Sequence, residues 1–125
     1  MTLGTKLKNL REDLDLRQID VAQKVNLGQV SISKYESDIN EPDLTVLVKL
    51  ANLYNVNIDY LLGNSDMKTS WKDINRIISI DGKDYSGLEI IDTIIHLPEK
   101  DKKYIISLLE LLNQYNRKTE KSRDK

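Results

Sequence analysis

Two short helical patterns separated by three residues constrain the fold of this chain most strongly. Residues 18–25 and residues 29–37 each carry apolar side chains at the spacing of a short helix with one buried face. Asn26 tolerates the left-handed conformation that ends a helix, and Gly28 is suited to start the next one. The apolar positions are Val21, Ala22 and Val25 in the first pattern, and Ile32 and Tyr35 in the second.

The second pattern leaves an unusual row of side chains on its outer face, consisting of Gln29, Val30, Ser33 and Lys34. Two helices joined by a tight turn form a helix-turn-helix, whose second helix enters the major groove of DNA by its N-terminal end. There, glutamine pairs with adenine, lysine with guanine, serine with either, and valine packs on a thymine methyl group. Taken alone, the same row also fits an ordinary solvated face.

The rest of the N-terminal half predicts three more helices around this motif. Residues 3–14 carry leucines at helical spacing after Thr2, which is suited to cap the helix. A fourth helix is expected to begin at Pro42 or Asp43, and a short fifth helix ends before Gly63. The residues expected to point inward from the fourth helix are Leu44, Leu47, Leu50, Ala51 and Tyr54.

Residues 3–62 resemble the xenobiotic-response-element family of helix-turn-helix regulators, the DNA-binding domain of Cro and phage CI repressors. The resemblance rests on a series of short motifs in the family's order. They are Leu10-Arg11-Glu12, Gln18-x-x-Val21-Ala22-x-x-Val25, Ser31-Ile32-Ser33-Lys34-Tyr35-Glu36, Glu41-Pro42, Leu47-x-x-Leu50-Ala51 and Asp59-Tyr60-Leu61-Leu62-Gly63. The resemblance implies an all-α chain whose residues 1–63 form a five-helix, lambda-repressor-like DNA-binding domain with its motif at 18–37.

The resemblance also implies roles for individual residues. Arg11 and Glu36 match positions that form a largely buried ion pair between the first helix and the recognition helix. Base contacts are expected from the outward row, Gln29, Val30, Ser33 and Lys34. DNA backbone or mixed contacts are expected from Arg17, Gln18, Ser31, Ser37 and Asn40.

Three positions depart from the family pattern. Arg17 stands where a capping serine or threonine is usual, Asp38 replaces a glycine, and Ile39-Asn40 replace a loop that is often basic. Residues 1–63 contain seven basic and nine acidic side chains. Since each phosphate contact adds to the salt dependence of DNA binding, a shallower salt dependence is expected than for a basic relative.

The C-terminal half predicts a smaller helical region. Residues 64–70 are polar and are interpreted as a linker, 71–118 as a helical dimerisation or partner-binding region, and 119–125 as a polar tail. Asp81-Gly82 indicates either a hairpin turn or an irregular link. Ser86 is suited to cap a helix over residues 87–96, and Pro98 to begin the last one.

The last helix carries a broad apolar stripe, with Ile105, Leu108, Leu109 and Leu112 on one face. About 55 residues with two good helices cannot bury all of this apolar surface alone, so a homodimer is favoured over a monomeric core. A two-fold protein also matches a pseudo-palindromic DNA operator with half-sites one helical turn apart.

Composition excludes several other classes of function. The chain has no cysteine, a formal net charge of −1 and a single histidine, His96, so we expect no metal site, cofactor or catalytic centre. No apolar run reaches the length of a membrane span, and a cytoplasmic location is expected. The predicted function is a dimeric bacterial or phage transcriptional repressor, open to control by an antirepressor or effector protein. The alternative is an antitoxin or other protein-interaction module.

Overall fold

The computed structural model describes residues 1–123, which form two compact units that divide between Ile74 and Asn75. The first unit contains α1 (Leu3–Asp13), α2 (Gln18–Lys24), α3 (Gln29–Glu36), α4 (Leu44–Tyr54), α5 (Ile58–Leu61) and α6 (Trp71–Ile74). The second contains β1 (Ile77–Ile80), β2 (Lys83–Ser86), α7 (Gly87–Ile95) and α8 (Glu99–Arg123). The prediction of a helical chain with a five-helix N-terminal domain is confirmed, with one small sheet added.

Side-chain caps set the starts of α1 and α4 in the first unit. The Thr2 hydroxyl accepts from the backbone N–H of Thr5 at 3.1 Å, as predicted for α1. The Asp43 carboxylate accepts from the N–H of Val46 at 2.8 Å, so α4 begins one residue after this cap. Such caps satisfy N–H groups that have no partner within the helix.

The core of the first unit lies among α1 to α5. Its buried apolar side chains are Leu7, Leu10, Val21, Ala22, Val25, Ile32, Val46, Leu47, Leu50, Ala51, Tyr54, Val56, Tyr60 and Leu61. Leu44 was expected to point inward, and this prediction is wrong because its side chain is 82% exposed. Leu44 is the first residue of α4 and lies ahead of the turn that packs on the core, where Val46 is buried instead.

The segment 64–70, interpreted above as a linker, lies within the first unit. Thr69 forms an isolated antiparallel bridge with Val56, and the N–H of Asn57 donates to the carbonyl of Lys68 at 3.1 Å. The Asn57 side chain also donates to the carbonyl of Thr69 at 2.8 Å. These bonds tie the segment to the entry of α5. The division of the chain by role, with a partner-binding region at 71–118, stays a prediction.

The second unit begins with a β-hairpin. Strands β1 and β2 pair antiparallel, and Ile80 opposite Lys83 is the last pair before the turn. Asp81 and Gly82 occupy the turn with φ of 50° and 76°. Positive φ at both positions is typical of the two-residue turn that matches the twist of paired strands. Of the two alternatives for Asp81-Gly82, the hairpin is therefore the one that forms.

Two helices complete the second unit. Ser86 caps α7 as predicted, because its hydroxyl accepts from the N–H of Glu89 while its own N–H donates to the Glu89 carboxylate, both at 3.1 Å. Helix α8 is longer than predicted and runs through most of the expected polar tail to Arg123. No glycine or proline interrupts it, and basic residues in its last turn favour the negative end of the helix dipole. Asp124 and Lys125, also assigned to the tail, lie outside the described residues.

Candidate nucleic-acid interface

Helices α2 and α3 pack closely through a short turn. Asn26 adopts the predicted left-handed conformation with φ of 58°, and the N–H of Leu27 donates to the carbonyl of Ala22 at 2.8 Å. The side chains of Ala22 and Ile32 are buried between the helices and the rest of the core. A small residue at position 22 lets the two backbones approach each other, so α3 is held firmly with its other face outward.

The outward face of α3 presents the four side chains predicted to contact bases. Gln29, Val30 and Lys34 are exposed, and Ser33 is half-buried at the edge of the face. Val30 is an apolar side chain that is 67% exposed. The structure therefore brings Gln29, Val30, Ser33 and Lys34 together on the first turns of α3.

The residues expected to contact the DNA backbone lie around this face. Ser31 is half-buried on α3, and Ser37 is the exposed C-cap of the helix. The N–H of Asn40 donates to the carbonyl of Lys34 at 3.3 Å, so the loop folds back on the end of α3. Asn40 is exposed there.

A buried ion pair joins α1 to α3. Arg11 Nε lies 2.7 Å from Glu36 Oε1, and Arg11 Nη2 lies 3.1 Å from Glu36 Oε2, which is the bidentate geometry of a guanidinium on a carboxylate. The side chain of Glu36 is 4% exposed. The hydrogen bond with Glu36 raises the pKa of Arg11 above its ordinary value. A third bond, from Arg11 Nη1 to the carbonyl of Leu16 at 2.8 Å, also fixes the chain before α2.

Gln18 is bound into the same network. Its side-chain nitrogen donates to Glu36 Oε2 at 2.9 Å, so one carboxylate connects α1, α2 and α3. Gln18 is half-buried, and its amide is oriented before any ligand arrives. Sequence reasoning placed Gln18 near DNA, but it did not show that Glu36 positions this side chain.

Arg17 occupies the N-cap position of α2 and pairs with Asp20. Its Nε and Nη2 lie 3.1 and 3.0 Å from the two carboxylate oxygens, and its backbone N–H donates to the same carboxylate at 2.8 Å. The Asp20 carboxylate thus binds both the backbone N–H and the side chain of the N-cap residue. These hydrogen bonds raise the pKa of Arg17 and lower the pKa of Asp20. Arg17 remains exposed, but it is not a free cation.

Asp38 connects the end of α3 to the start of α1. It takes the left-handed conformation with φ of 59°, and its carboxylate accepts from the Thr2 hydroxyl at 2.6 Å and from the N–H of Gly4 at 2.9 Å. The bond from Thr2 holds the pKa of Asp38 below its ordinary value. Sequence reasoning missed this contact. The available signal was an aspartate where a glycine is usual, since aspartate tolerates this conformation and favours helix N-termini.

The residues predicted to dimerise lie in the second unit. Ile105 on α8 is half-buried near Ile94 and Leu97. The other three, Leu108, Leu109 and Leu112, are 56%, 48% and 46% exposed. The single chain therefore leaves most of this face without a covering element.

Other kinds of site find little support in the part of the chain that the structure describes. Residues 1–123 contain no cluster of three or more histidine, aspartate or glutamate side chains arranged to hold a metal ion. His96 is exposed, with Nδ1 2.8 Å from the carbonyl of Asp92. Within the same range, no helix is long and apolar enough to cross a membrane.

The geometry of the first unit agrees with a comparison against protein families. The family model described as "Helix-turn-helix" matches residues 7–61, which include α2, the turn, α3 and both partners of the Arg11–Glu36 pair. Over these residues, which make up less than half of the chain, the chain is similar to the helix-turn-helix family. The resemblance to Cro and phage-repressor domains is thereby confirmed.

Individual helix-turn-helix proteins are similar to this chain over different lengths. The HTH-type transcriptional regulator ImmR of Bacillus subtilis (strain 168) is 45% identical over 67 residues, which are 54% of this chain and 53% of ImmR. The chain thus spans about half the length of that relative. The cryptic phage CTXphi transcriptional repressor RstR of Vibrio cholerae is 28% identical over 118 residues, covering 94% of this chain and 96% of RstR.

One solved structure supplies a likeness in three dimensions. The P22 c2 repressor, crystallised in complex with a synthetic operator, superposes with a TM-score of 0.50 and 28% identity. The match covers 52% of this chain and 98% of that protein.

Proposed function

We propose that this chain is a sequence-specific DNA-binding transcriptional regulator that acts as a repressor by occupying its operator as a homodimer. The observation that carries the proposal is the outward row Gln29, Val30, Ser33 and Lys34 at the N-terminal end of a firmly held α3. The regulatory roles in the names of ImmR and RstR, and the operator complex of the P22 c2 repressor, support it.

The row has the chemistry to distinguish base pairs. Gln29 offers a donor and an acceptor side by side, which fits the major-groove edge of adenine, and Lys34 donates to the O6 and N7 acceptors of guanine. The exposed apolar side chain of Val30 also has a role here, because it packs on the methyl group of thymine. Each such contact distinguishes the right base from the wrong one by roughly 1–3 kcal/mol.

Two basic side chains of the first unit are already engaged within the protein. Lys6 donates to the carbonyl of Tyr60 at 2.8 Å and lies over the Tyr60 ring, while Arg17 pairs with Asp20. Most of the expected backbone contacts come instead from neutral side chains that donate to phosphate, namely Gln18, Ser31, Ser37 and Asn40. Because neutral donors release no counterions, the affinity depends less on salt than in a basic relative.

A homodimer agrees with the uncovered apolar face of α8. Two copies related by a two-fold axis present two α3 helices, which fit a pseudo-palindromic operator with half-sites about 34–36 Å apart. A dimer that covers promoter DNA excludes polymerase, which is the simplest route to repression. A regulator of this kind acts in the cytoplasm, where bacterial or phage DNA is transcribed.

A selection experiment tests this function. Full-length protein is used to enrich binding sites from random duplex DNA, and the winning site is then placed in a promoter for transcription in vitro. The proposal predicts a two-fold symmetric consensus with half-sites one helical turn apart, and transcripts that decline as protein is added. Transcripts that rise with added protein contradict repression, and a failure to enrich any sequence contradicts base reading.

A second candidate function comes from the same exposed face of α8. With Leu108, Leu111 and Tyr115 each more than half exposed, this helix also suits a different protein as partner, as in an antitoxin or a regulator controlled by an effector protein. The two functions differ in the isolated chain. An antitoxin-like module stays monomeric until its cognate protein is added, whereas the proposed repressor forms a dimer alone.

A further inference from the structure

Positive and negative charges are divided unequally between α8 and the residues that precede it. Residues 1–98 contain 11 basic and 15 acidic side chains, so their net charge is −4 with histidine neutral. Helix α8 contains seven basic and four acidic side chains, so its net charge is +3. The overall charge of −1 therefore conceals a basic helix that follows an acidic segment.

One face of α8 carries most of these cations and no apolar side chain. Successive residues of an α-helix are about 100° apart around its axis, so steps of three and four residues return to the same face. Within an arc of about 100°, α8 carries Glu99, Lys100, Lys103, Ser107, Glu110, Gln114, Arg117, Lys118 and Lys121. We call this arc the basic strip. Leu108 and Leu112 lie on the other side of the helix.

The five cations of the basic strip are exposed to solvent. Among residues 1–123, no carboxylate forms an ion pair with any of them. Of the two acids in the strip, Glu99 already pairs with Lys102 at 3.1 Å, and Glu110 lies midway along it. Free positive charge is thus concentrated at residues 100–103 and 117–121. These two groups are about 26 Å apart along the helix axis.

We propose that the basic strip binds the phosphate backbone of double-stranded DNA. The inference deepens the proposed function and rests on it for the identity of the partner. Duplex DNA carries one negative charge per about 1.7 Å of its axis, so both ends of the strip can contact phosphates of one duplex. Such contacts strengthen binding without reading sequence. They supply cations that the first unit lacks, since residues 1–63 contain seven basic and nine acidic side chains.

An anionic membrane is the other extended surface that attracts a basic helix. Helices that lie on membranes bury an apolar face in the lipid while their cations meet the anionic headgroups. In α8 the apolar side is already partly used within the second unit, because Ile105 lines a cavity together with Ile94 and Leu97. The basic strip lies away from that side. Its position therefore favours DNA as the partner.

Salt titrations of the full-length chain on random-sequence duplex DNA test the inference. Lys103→Gln/Arg117→Gln removes one cation from each end of the strip and keeps good helix formers at both positions. Each lost phosphate contact lowers the slope of log affinity against log salt by about 0.9, so we expect the slope to fall by about 1.8. The affinity at low salt should fall roughly five- to thirtyfold.

The matched control is Lys83→Gln/Arg123→Gln. It removes the same two kinds of cation from the second unit, but Lys83 lies in the hairpin and Arg123 lies on the other side of α8 from the strip. Both the slope and the affinity should stay close to those of wild type. An effect equal to that of the strip variant shows that only net charge matters, and it contradicts the inference.

A change of the opposite sign gives a second readout. Glu110→Gln removes the unpaired acid from the middle of the strip, and binding to random-sequence DNA should strengthen by roughly two- to fivefold at low salt. Asp101→Asn makes the same change in charge on the other side of the helix and should have little effect. If neither variant strengthens binding, or both do so equally, the strip is not the contact surface.

The selected operator separates this inference from base reading. Phosphate contacts weaken binding to the operator and to scrambled DNA alike, so the strip variant should keep the preference of wild type for the operator. A strip variant with the slope and affinity of wild type overturns the inference and leaves base reading by α3 intact. A chain that enriches no sequence, but loses slope in the strip variant, refutes base reading and retains phosphate binding. Unchanged DNA binding with weakened binding to phosphatidylserine vesicles identifies a membrane partner and overturns the inference.

Discussion

Arg11 and Glu36 are 25 positions apart in sequence, yet their side chains form two hydrogen bonds of 2.7 and 3.1 Å that join α1 to α3. Gln18 donates to the same carboxylate from α2. A single buried charge therefore fixes the relative positions of three helices and orients a side chain at the proposed DNA surface.

Replacing Arg11 by alanine should destabilise the first unit strongly. The variant leaves the Glu36 carboxylate buried without its cation, and we expect the free energy of unfolding to fall by about 3–5 kcal/mol. Urea denaturation of full-length protein measures this. Arg17→Ala is the control, because its pair with Asp20 is exposed to solvent and should contribute little to stability. Equal losses in the two variants contradict the central role given to the buried pair.

Gly4 is required by the close approach of α1 to the end of α3. A Cβ atom at this position would lie 2.6 Å from the carbonyl oxygens of Tyr35 and Glu36, both of them backbone atoms. Gly4→Ala should therefore lower the free energy of unfolding by about 1–3 kcal/mol or more. Gly28→Ser is the matched control, because a Cβ there has open space and serine is a favoured N-cap. A stable Gly4→Ala protein contradicts this packing.

Asp38 should make stability depend on pH in the acid range. Its folded pKa is lowered, so its contribution is fully present above the unfolded pKa of about 4 and is lost as the pH falls through the folded pKa. Asp38→Asn keeps a side chain that tolerates the left-handed conformation but removes the charge. The difference in thermal midpoint between wild type and this variant should be constant from pH 7 to about 5 and shrink below about 4. A difference that stays constant below pH 4 contradicts the assigned bonds.

Asp20 is expected to restrain DNA binding by holding Arg17. Asp20→Asn weakens this exposed pair and removes one negative charge near the proposed backbone contacts. Binding to random-sequence DNA should strengthen by up to about fivefold, and the salt dependence should steepen by roughly one phosphate contact. Titrations at several salt concentrations measure both. Asp13→Asn makes the same change in net charge without freeing Arg17, and an equal effect from it shows that Arg17 is not involved.

Local sequence signals were enough to predict much of the helical architecture. The left-handed Asn26, the Ser86 cap and the helix over residues 29–37 depend on neighbours a few positions away, and each could be inferred from short-range chemistry. The outward row on α3 could be predicted from the sequence for the same reason. Once the apolar positions of a helix are assigned, its solvent-facing positions follow from the helical period.

What the sequence did not reveal depends on contacts between distant residues. Asp38 binds the N-terminus of α1, which lies 34 positions away at Gly4, and no local pattern indicates this pairing. Segment 64–70 looked like a linker because its composition is polar. Its carbonyl groups at Met67 and Thr69 accept from the Asn57 side chain, which could equally have faced solvent. Leu44 had the right spacing but lies too early in α4 to reach the core.

The most direct test of the proposed function measures base discrimination by α3. Wild type and the Gln29→Ala/Lys34→Ala variant are titrated against the selected operator and against a scrambled duplex at the same salt concentration. The control is Lys49→Ala/Asn52→Ala, which removes the same two kinds of side chain from the exposed face of α4.

We predict that the α3 variant loses roughly 2–6 kcal/mol of binding to the operator and little on scrambled DNA, while the α4 control binds as wild type does. An α3 variant that keeps the full preference of wild type for the operator would show that the outward row does not read bases, and would contradict the account.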